Sequence, residues 1–327
     1  MKKIKLITVF VLICALVFVA FAACSKNEPQ NPEQPEVKPN VAVLRGPTGL
    51  GALQIMDTPE KYNVTVCAAP TEITGLLTSG TVDIAAMPLN MAANLYNKTD
   101  GSVVMLNVNT RGVLYLLERG STVKSIADLK GKTLYASAQG ATAEFLLNFL
   151  LEKNKLDPKK DLTIEWITDH AALSARLLAG NAAIALLPEP NVTTVLDRDD
   201  SLRVAIDFND AWSDATNGNK LAMGCIVVRR AFLDENPNVV DRFIEAYTSS
   251  VHFVNGNPVQ AGELAEKYDI LPGAALAQKA IPGSQLVSIT GKDMRDVAQS
   301  NLQILFDADA KSIGDAMPDN DFYYGVN

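Results

Sequence analysis

The stretch LLTSGTVDIAAMPLN, Leu76 to Asn90, is written a second time as LLAGNAAIALLPEP, Leu177 to Pro190. Gly80 matches Gly180, Ile84 matches Ile184, Ala85 matches Ala185 and Pro88 matches Pro188, each pair 100 residues apart. A glycine turn, an apolar strand and a proline at the strand end, repeated at constant spacing, restrict the chain to architectures with two equivalent halves. The residues upstream agree. Val41 to Met56 runs from an apolar β-branched segment through Gly46-Pro47-Thr48-Gly49 into helical spacing, and Gly131 to Lys153 does so through Gly140-Ala141-Thr142-Ala143. Each half then continues with a strand (YNVTVCAA, LTIEWIT), a helix (PTEITGLLTSG, HAALSARLLAG) and the repeated third strand.

Strands alternating with helices predict parallel sheets with right-handed crossovers, so the expected class is α/β with two doubly wound lobes. In such sheets ligands bind beyond the carboxyl ends of the strands, where both Gly-x-Thr turns and both prolines fall. Glycine lets backbone approach a ligand closely, and helix N-terminal N–H groups suit an anionic or strongly polar group. Thr48 and Thr142 add hydroxyl donors. Each threonine alone reads equally well as a helix N-cap, and their equivalent placement in two halves favours a shared ligand role. Neither loop ends in the Gly-Lys-Ser/Thr of a phosphate-binding P-loop.

A formal net charge of −8 argues against a nucleic-acid surface. Two histidines, His170 and His252, stand far apart and far from any cysteine, which argues against zinc, and no cofactor or metal is expected. MKKIK followed by LITVFVLICALVFVAFAA reads as a signal peptide over residues 1–23, and the small residues before Cys24 resemble a bacterial lipobox, with Cys24 as the lipidated N-terminus. An uncleaved membrane anchor is the alternative, since the apolar run approaches the length of a span. Ser25 to Asn40 is rich in Pro, Glu and Asn, so residues 24–40 read as a tether. Cys67 and Cys225, in separate apolar strands, are expected as buried free thiols.

The segments GPTGLGALQIM, GLLTSGTVDIAAMPLNMAANL, LLAGNAAIALLPEP and VVRRAFLDENPNVVDRFIEAY, with the run Ser125 to Pro158, together resemble a known family. It is that of extracytoplasmic solute-binding proteins of ABC importers, in the branch binding nitrate, sulfonates and thiamine-related pyrimidines. The resemblance implies a type II periplasmic-binding-protein fold whose two lobes are joined by two crossing segments, near Arg111 and near Asn219 to Met223. Lobe one would be residues 41–110 plus 221–327, and lobe two residues 111–220. It further implies a monomer that closes by a hinge on a small-molecule ligand and delivers it to an ABC permease and ATPase complex, held at the membrane by its N-terminal lipid. The implied walls are Arg45, Gly46, Pro47, Thr48 and Gly49 with Pro88, Leu89 and Asn90 from lobe one. Gln139, Gly140, Ala141 and Thr142 with Pro188 and Glu189 come from lobe two.

Glu189 can accept from a ligand amine or hydroxyl, or be a solvated loop acid. Arg45 and Arg111 suit a sulfonate or carboxylate. Trp212, in the polar stretch DFNDAWSDATNGNK, is the expected aromatic lid, with Tyr135 a weaker candidate, while Trp166 lies mid-strand and reads as core. A fungal pyrimidine synthase resembles the same fold but uses a cysteine-rich motif and a histidine. No cysteine cluster is present here, and no histidine stands in the implied walls, so no enzyme is expected. A ligand-sensing receptor acting on a signalling partner is the remaining alternative.

Overall fold

Along Val41-Ala42-Val43-Leu44, alternate side chains go to opposite faces of a strand, and all four are buried. Val41 and Val43 join one apolar cluster, Ala42 and Leu44 another, so this strand belongs to a sheet covered on both sides. The computed structural model describes residues 37–137, 139 and 142–326. Cys24, Gly140 and Ala141, like the leader and most of the tether, lie outside the described residues.

The strands in chain order are β1 Asn40–Leu44, β2 Asn63–Cys67, β3 Ile84–Pro88, β4 Val103–Thr110, β5 Leu114–Arg119, β6 Thr133–Ser137, β7 Thr163–Ile167, β8 Ile184–Pro188, β9 Leu202–Asp207, β10 Gly224–Arg229 and β11 Leu286–Ile289. They form a six-stranded sheet ordered β11-β4-β10-β3-β1-β2 and a five-stranded sheet ordered β7-β6-β8-β5-β9. The second sheet is likewise covered on both faces, since Leu114 and Leu116 lie in one cluster and Tyr115 and Leu117 in the other. Both sheets belong to one compact unit, Lys38–Asn327.

The repeat is visible in the register. β1 runs parallel to β2 and β3, with Ala42 paired to Ala85, and β6 runs parallel to β7 and β8, with Tyr135 paired to Ala185. The helices Pro70–Thr78 and His170–Leu178 each end in a left-handed glycine, Gly80 at φ 74° and Gly180 at φ 75°. No Cβ opposes that conformation in glycine, so both helices stop at the same point and release the next strand.

The sheets are mixed, where alternation alone predicts parallel ones. β10 runs antiparallel between β3 and β4, and β5 runs antiparallel between β8 and β9. The cause is the exchange of chain between sheets. After β4 the chain crosses into the second sheet as β5, and after β9 it returns to the first as β10. A strand entering from the partner sheet starts at the carboxyl ends of its neighbours and must run back along them. The correspondence extends to the far end, where Arg119 N–H donates to the Ala183 carbonyl and Arg229 N–H to the Asp83 carbonyl, both at 2.8 Å.

Cys67 and Cys225 are free and buried. No helix among the described residues is long and apolar enough to cross a membrane.

Candidate functional site

The register places the predicted loops together. Gly224 pairs with both Pro88 and Thr110, and Leu114 pairs with Pro188, so the carboxyl ends of both parallel sets abut the first crossing. Thr110 and Leu114 are four residue steps apart, a span of at most about 14 Å. The helices on either side also meet. Thr142–Lys153 touches Gly291–Ala308, Phe145 packs on the first sheet's core, and Asn191–Leu196 touches Ala274–Ala280 with Asp197 paired to Lys279.

The loop after β1 is pinned at both ends. Arg45 N–H donates to the Cys67 carbonyl at 3.3 Å and Gly46 N–H to the Ile270 carbonyl at 3.0 Å. Gly46 sits at φ 87° and its carbonyl accepts from Gly49 and Leu50 N–H, starting the short helix Pro47–Leu50. Thr48 is half-buried on it. A Cβ on Gly49 would lie 2.2 Å from the Leu44 carbonyl oxygen, so only glycine lets the loop fold back this tightly. Arg45 is exposed and pairs with exposed Asp269, so its charge is already matched. After β3, Pro88 leads directly into Leu89–Lys98, Leu89 N–H donates to the Met223 carbonyl at 2.9 Å, and Asn90 is half-buried.

In the second half, Thr142 opens a twelve-residue helix and is half-buried, and Gln139 is exposed. Ser137, the last residue of β6, is buried, and its hydroxyl lies 2.6 Å from His170 Nδ1. Burial pushes the His170 imidazole below its ordinary value, which favours the neutral ring. The implied walls contain no histidine, yet His170 borders this one. The available signal was Asp169, which accepts from Ala172 N–H at 2.8 Å as the helix cap and so turns His170 toward the strand end.

Two expectations change. Glu189 is buried, so it is not a solvated loop acid, and its carboxylate is engaged within the chain: Thr193 N–H donates to it at 3.1 Å and the Thr193 hydroxyl at 2.9 Å. Burial raises its pKa, and the loop is further closed by Gly283, where a Cβ would lie 2.4 Å from Glu189 Oε1. Trp212 is fully buried in the helix Phe208–Ala215 and packs against Phe149 at 5.1 Å between ring centroids, which makes it core and not a lid. Phe208 and Trp212 lie four apart and share one helix face, a pattern hidden in a polar stretch. Tyr135 is covered by the Arg176 guanidinium, 4.8 Å from the ring centroid. Trp166, half-buried on the edge strand β7, packs against the second sheet's core, in keeping with its reading as a packing residue. Arg111 is half-buried in the first crossing, its N–H donating to the Gln285 carbonyl at 3.0 Å. Among the described residues, no group of three or more His, Cys, Asp or Glu is placed to hold a metal ion.

A protein-family model described as NMT1/THI5 like matches residues 65–261. The chain belongs to that family. Solved structures resemble this NMT1/THI5-like chain over nearly the whole described body. An ABC transporter protein from Parabacteroides distasonis is 24% identical, with 88% of this chain and 98% of that one covered at a TM-score of 0.75. The periplasmic aliphatic sulphonate binding protein SsuA from Escherichia coli is 16% identical, with coverages of 90% and 94% and a TM-score of 0.70. The periplasmic nitrate-binding protein NrtA from Synechocystis PCC 6803 is 12% identical, with coverages of 75% and 69% and a TM-score of 0.52. At these identities the likeness establishes the type II periplasmic-binding-protein fold. No curated protein sequence matches the chain.

Proposed function

We propose that this NMT1/THI5-like protein is the solute-binding component of an ABC importer. It captures a small polar or anionic molecule between its two sheets by hinge closure and passes it to a permease, without chemistry of its own. The observation that carries the reading is the meeting of the duplicated strand ends, Pro88 of one sheet and Pro188 of the other, at the segments where the chain crosses between the sheets. A ligand touching both walls favours the closed state by its differential contacts. The names of the structural neighbours, sulphonate- and nitrate-binding proteins, agree with that chemistry. In this reading the lobes are residues 41–110 plus 221–327 and 111–220, and Cys24 carries the lipid that tethers a monomer outside the cytoplasm.

A thermal-shift screen of the full chain against sulfonates, nitrate, carboxylates, pyrimidines, flavins and amino acids tests it. A ligand at 100 times its Kd adds about 2.7 kcal/mol, a shift of several degrees. Thr48→Ala and Thr142→Ala are expected to weaken the hit more than they lower the unliganded Tm. Silence across the panel, or variants that bind as the parent does, would count against the site.

A further inference from the structure

Between Thr110, where β4 ends, and Leu114, where β5 begins, the chain has left one sheet and not yet joined the other. Arg111 N–H donates to the Gln285 carbonyl and the Val113 carbonyl accepts from Glu189 N–H, but at Gly112 no strand ladder serves the backbone groups, which still need partners. Asn209 supplies them: its Nδ2 donates to the Gly112 carbonyl at 2.7 Å and its Oδ1 accepts from Gly112 N–H at 2.9 Å. A carboxamide carries donor and acceptor side by side, so it completes one rung of a ladder. The second crossing is held the same way. Ala222 N–H donates to Asn301 Oδ1 at 3.1 Å, and Asn301 Nδ2 donates to the Lys220 carbonyl at 2.9 Å. Both asparagines are buried, 5% and 2% exposed.

The two grips come from opposite bodies. Asn209 stands on the helix Phe208–Ala215, whose Phe208 and Trp212 lie in the second sheet's core. Asn301 stands on Gly291–Ala308, whose Met294, Ala298 and Leu302 lie in the first sheet's core. The crossings touch where the grips close: a Cβ on Gly112 would lie 2.4 Å from Leu221 Cδ2 and 2.8 Å from Asn209 Oδ1. Arg111 is tied to Gln285, beside β11 of the first sheet, so adjacent residues 111 and 112 are held from opposite sides. Leu221 is divided in the same way, its flanking backbone fastened by Asn301 and its side chain seated in the second sheet's core.

We propose that Asn209 and Asn301 are positioning residues that fix the axis of lobe closure through Gly112 and Leu221. The inference rests on the hinge-closing reading above. With each crossing fastened to one body, motion is confined to the Arg111–Gly112 link and to Leu221, so the lobes rotate without sliding. The two ligand walls then return to one separation, and the ligand selects among few closed states.

Spin labels on unnatural amino acids at Glu60 and Asp200, both exposed, report the interlobe distance in the full chain without ligand. Asn209→Asp and Asn301→Asp keep the side-chain size and set an oxygen against the Gly112 or Lys220 carbonyl. The expected result is a distance distribution at least about twice as broad in each variant, since a carboxylate removes the donor that each rung needs. A distribution that superimposes on the parent's while Tm falls overturns the proposal, because the clamps would then be structural only. If a variant does not fold, hydrogen exchange of the parent decides. Gly112 and Ala222 amides protected like those of β3 and β8 support the clamps, and exchange at the rate of exposed loops overturns them. An empty ligand screen would remove the transport reading and leave this result readable.

Discussion

The junction after β1 and its counterpart after β6 start from the same Gly-x-Thr pattern and fold differently. After β1 the helix is broken into two four-residue pieces, Pro47–Leu50 and Leu53–Met56, whereas after β6 it runs unbroken for twelve residues, Thr142–Lys153. Gly49 sits against the Leu44 carbonyl and Gly51 against the Tyr247 hydroxyl, where a Cβ would come within 2.1 Å. Ala143 takes the place of Gly49 in the second copy and lies within the unbroken helix. The second junction of each unit differs too. Ala69 offers no side-chain cap, while Asp169 caps its helix and sets His170 against Ser137. The turns into the third strands, by contrast, agree, with Gly80 at φ 74° and Gly180 at φ 75°. Strands and turns that build the sheets kept the common plan, and the edges that face the proposed cleft were reshaped by what packs over them. The helix Pro237–Gly256 packs over Leu53–Met56 of the first copy.

The largest test of that contrast is Gly49→Ala, which forces a methyl against backbone and is expected to cost about 3 kcal/mol or more. Ala143→Gly in the other copy should cost only about 1 kcal/mol, the difference in helix propensity. Urea midpoints of the two variants measure both, and equal losses would break the comparison. Next in size is Asp169→Ala, expected to lose about 1 kcal/mol with its cap, against a smaller gain for Ala69→Asp.

Smaller effects appear with pH. His170 is held below its unfolded value of 6.5, so the unfolded chain binds the extra proton first, and stability falls as pH drops below about 6.5. His170→Gln should flatten that part of the pH profile of Tm. The smallest change expected is in Glu189→Gln. The folded pKa is raised above 4.5, so ionisation opposes folding, and stability falls as pH rises from 4.5 through the raised value. The amide keeps an oxygen for Thr193 and avoids the buried charge, so the variant should be at least as stable as the parent at pH 7 and lose that advantage below pH 4.5. A clear loss at pH 7 would mean that the charge itself is needed.

Much of the architecture was legible because it depends on neighbours in sequence. The helices Pro70–Thr78 and His170–Leu178 occupy the segments where the sequence predicts them, and the repeated strands end at Pro88 and Pro188. Trp212 was misplaced because DFNDAWSDATNGNK is polar on average, and only the spacing from Phe208 marks the buried face. The sequence leaves Glu189 open because what packs against this loop acid includes Gly283, 94 residues away. His170 escaped notice because its partner Ser137 is 33 residues distant.

The amino-acid sequence by itself determined two copies of a strand-helix-strand-helix-strand unit, their glycine stops and proline ends, and hence two sheets with candidate ligand loops at matching ends. These follow from period-two and period-3.6 burial and from backbone preferences that each residue carries locally. Only the tertiary structure decided that β5 and β10 are exchanged antiparallel between the sheets, that Arg45 and Glu189 are already engaged, and that Asn209 and Asn301 grip the crossings. Those outcomes depend on pairings between residues far apart in the chain, and a polar side chain's partner is known only when the packing around it has been completed.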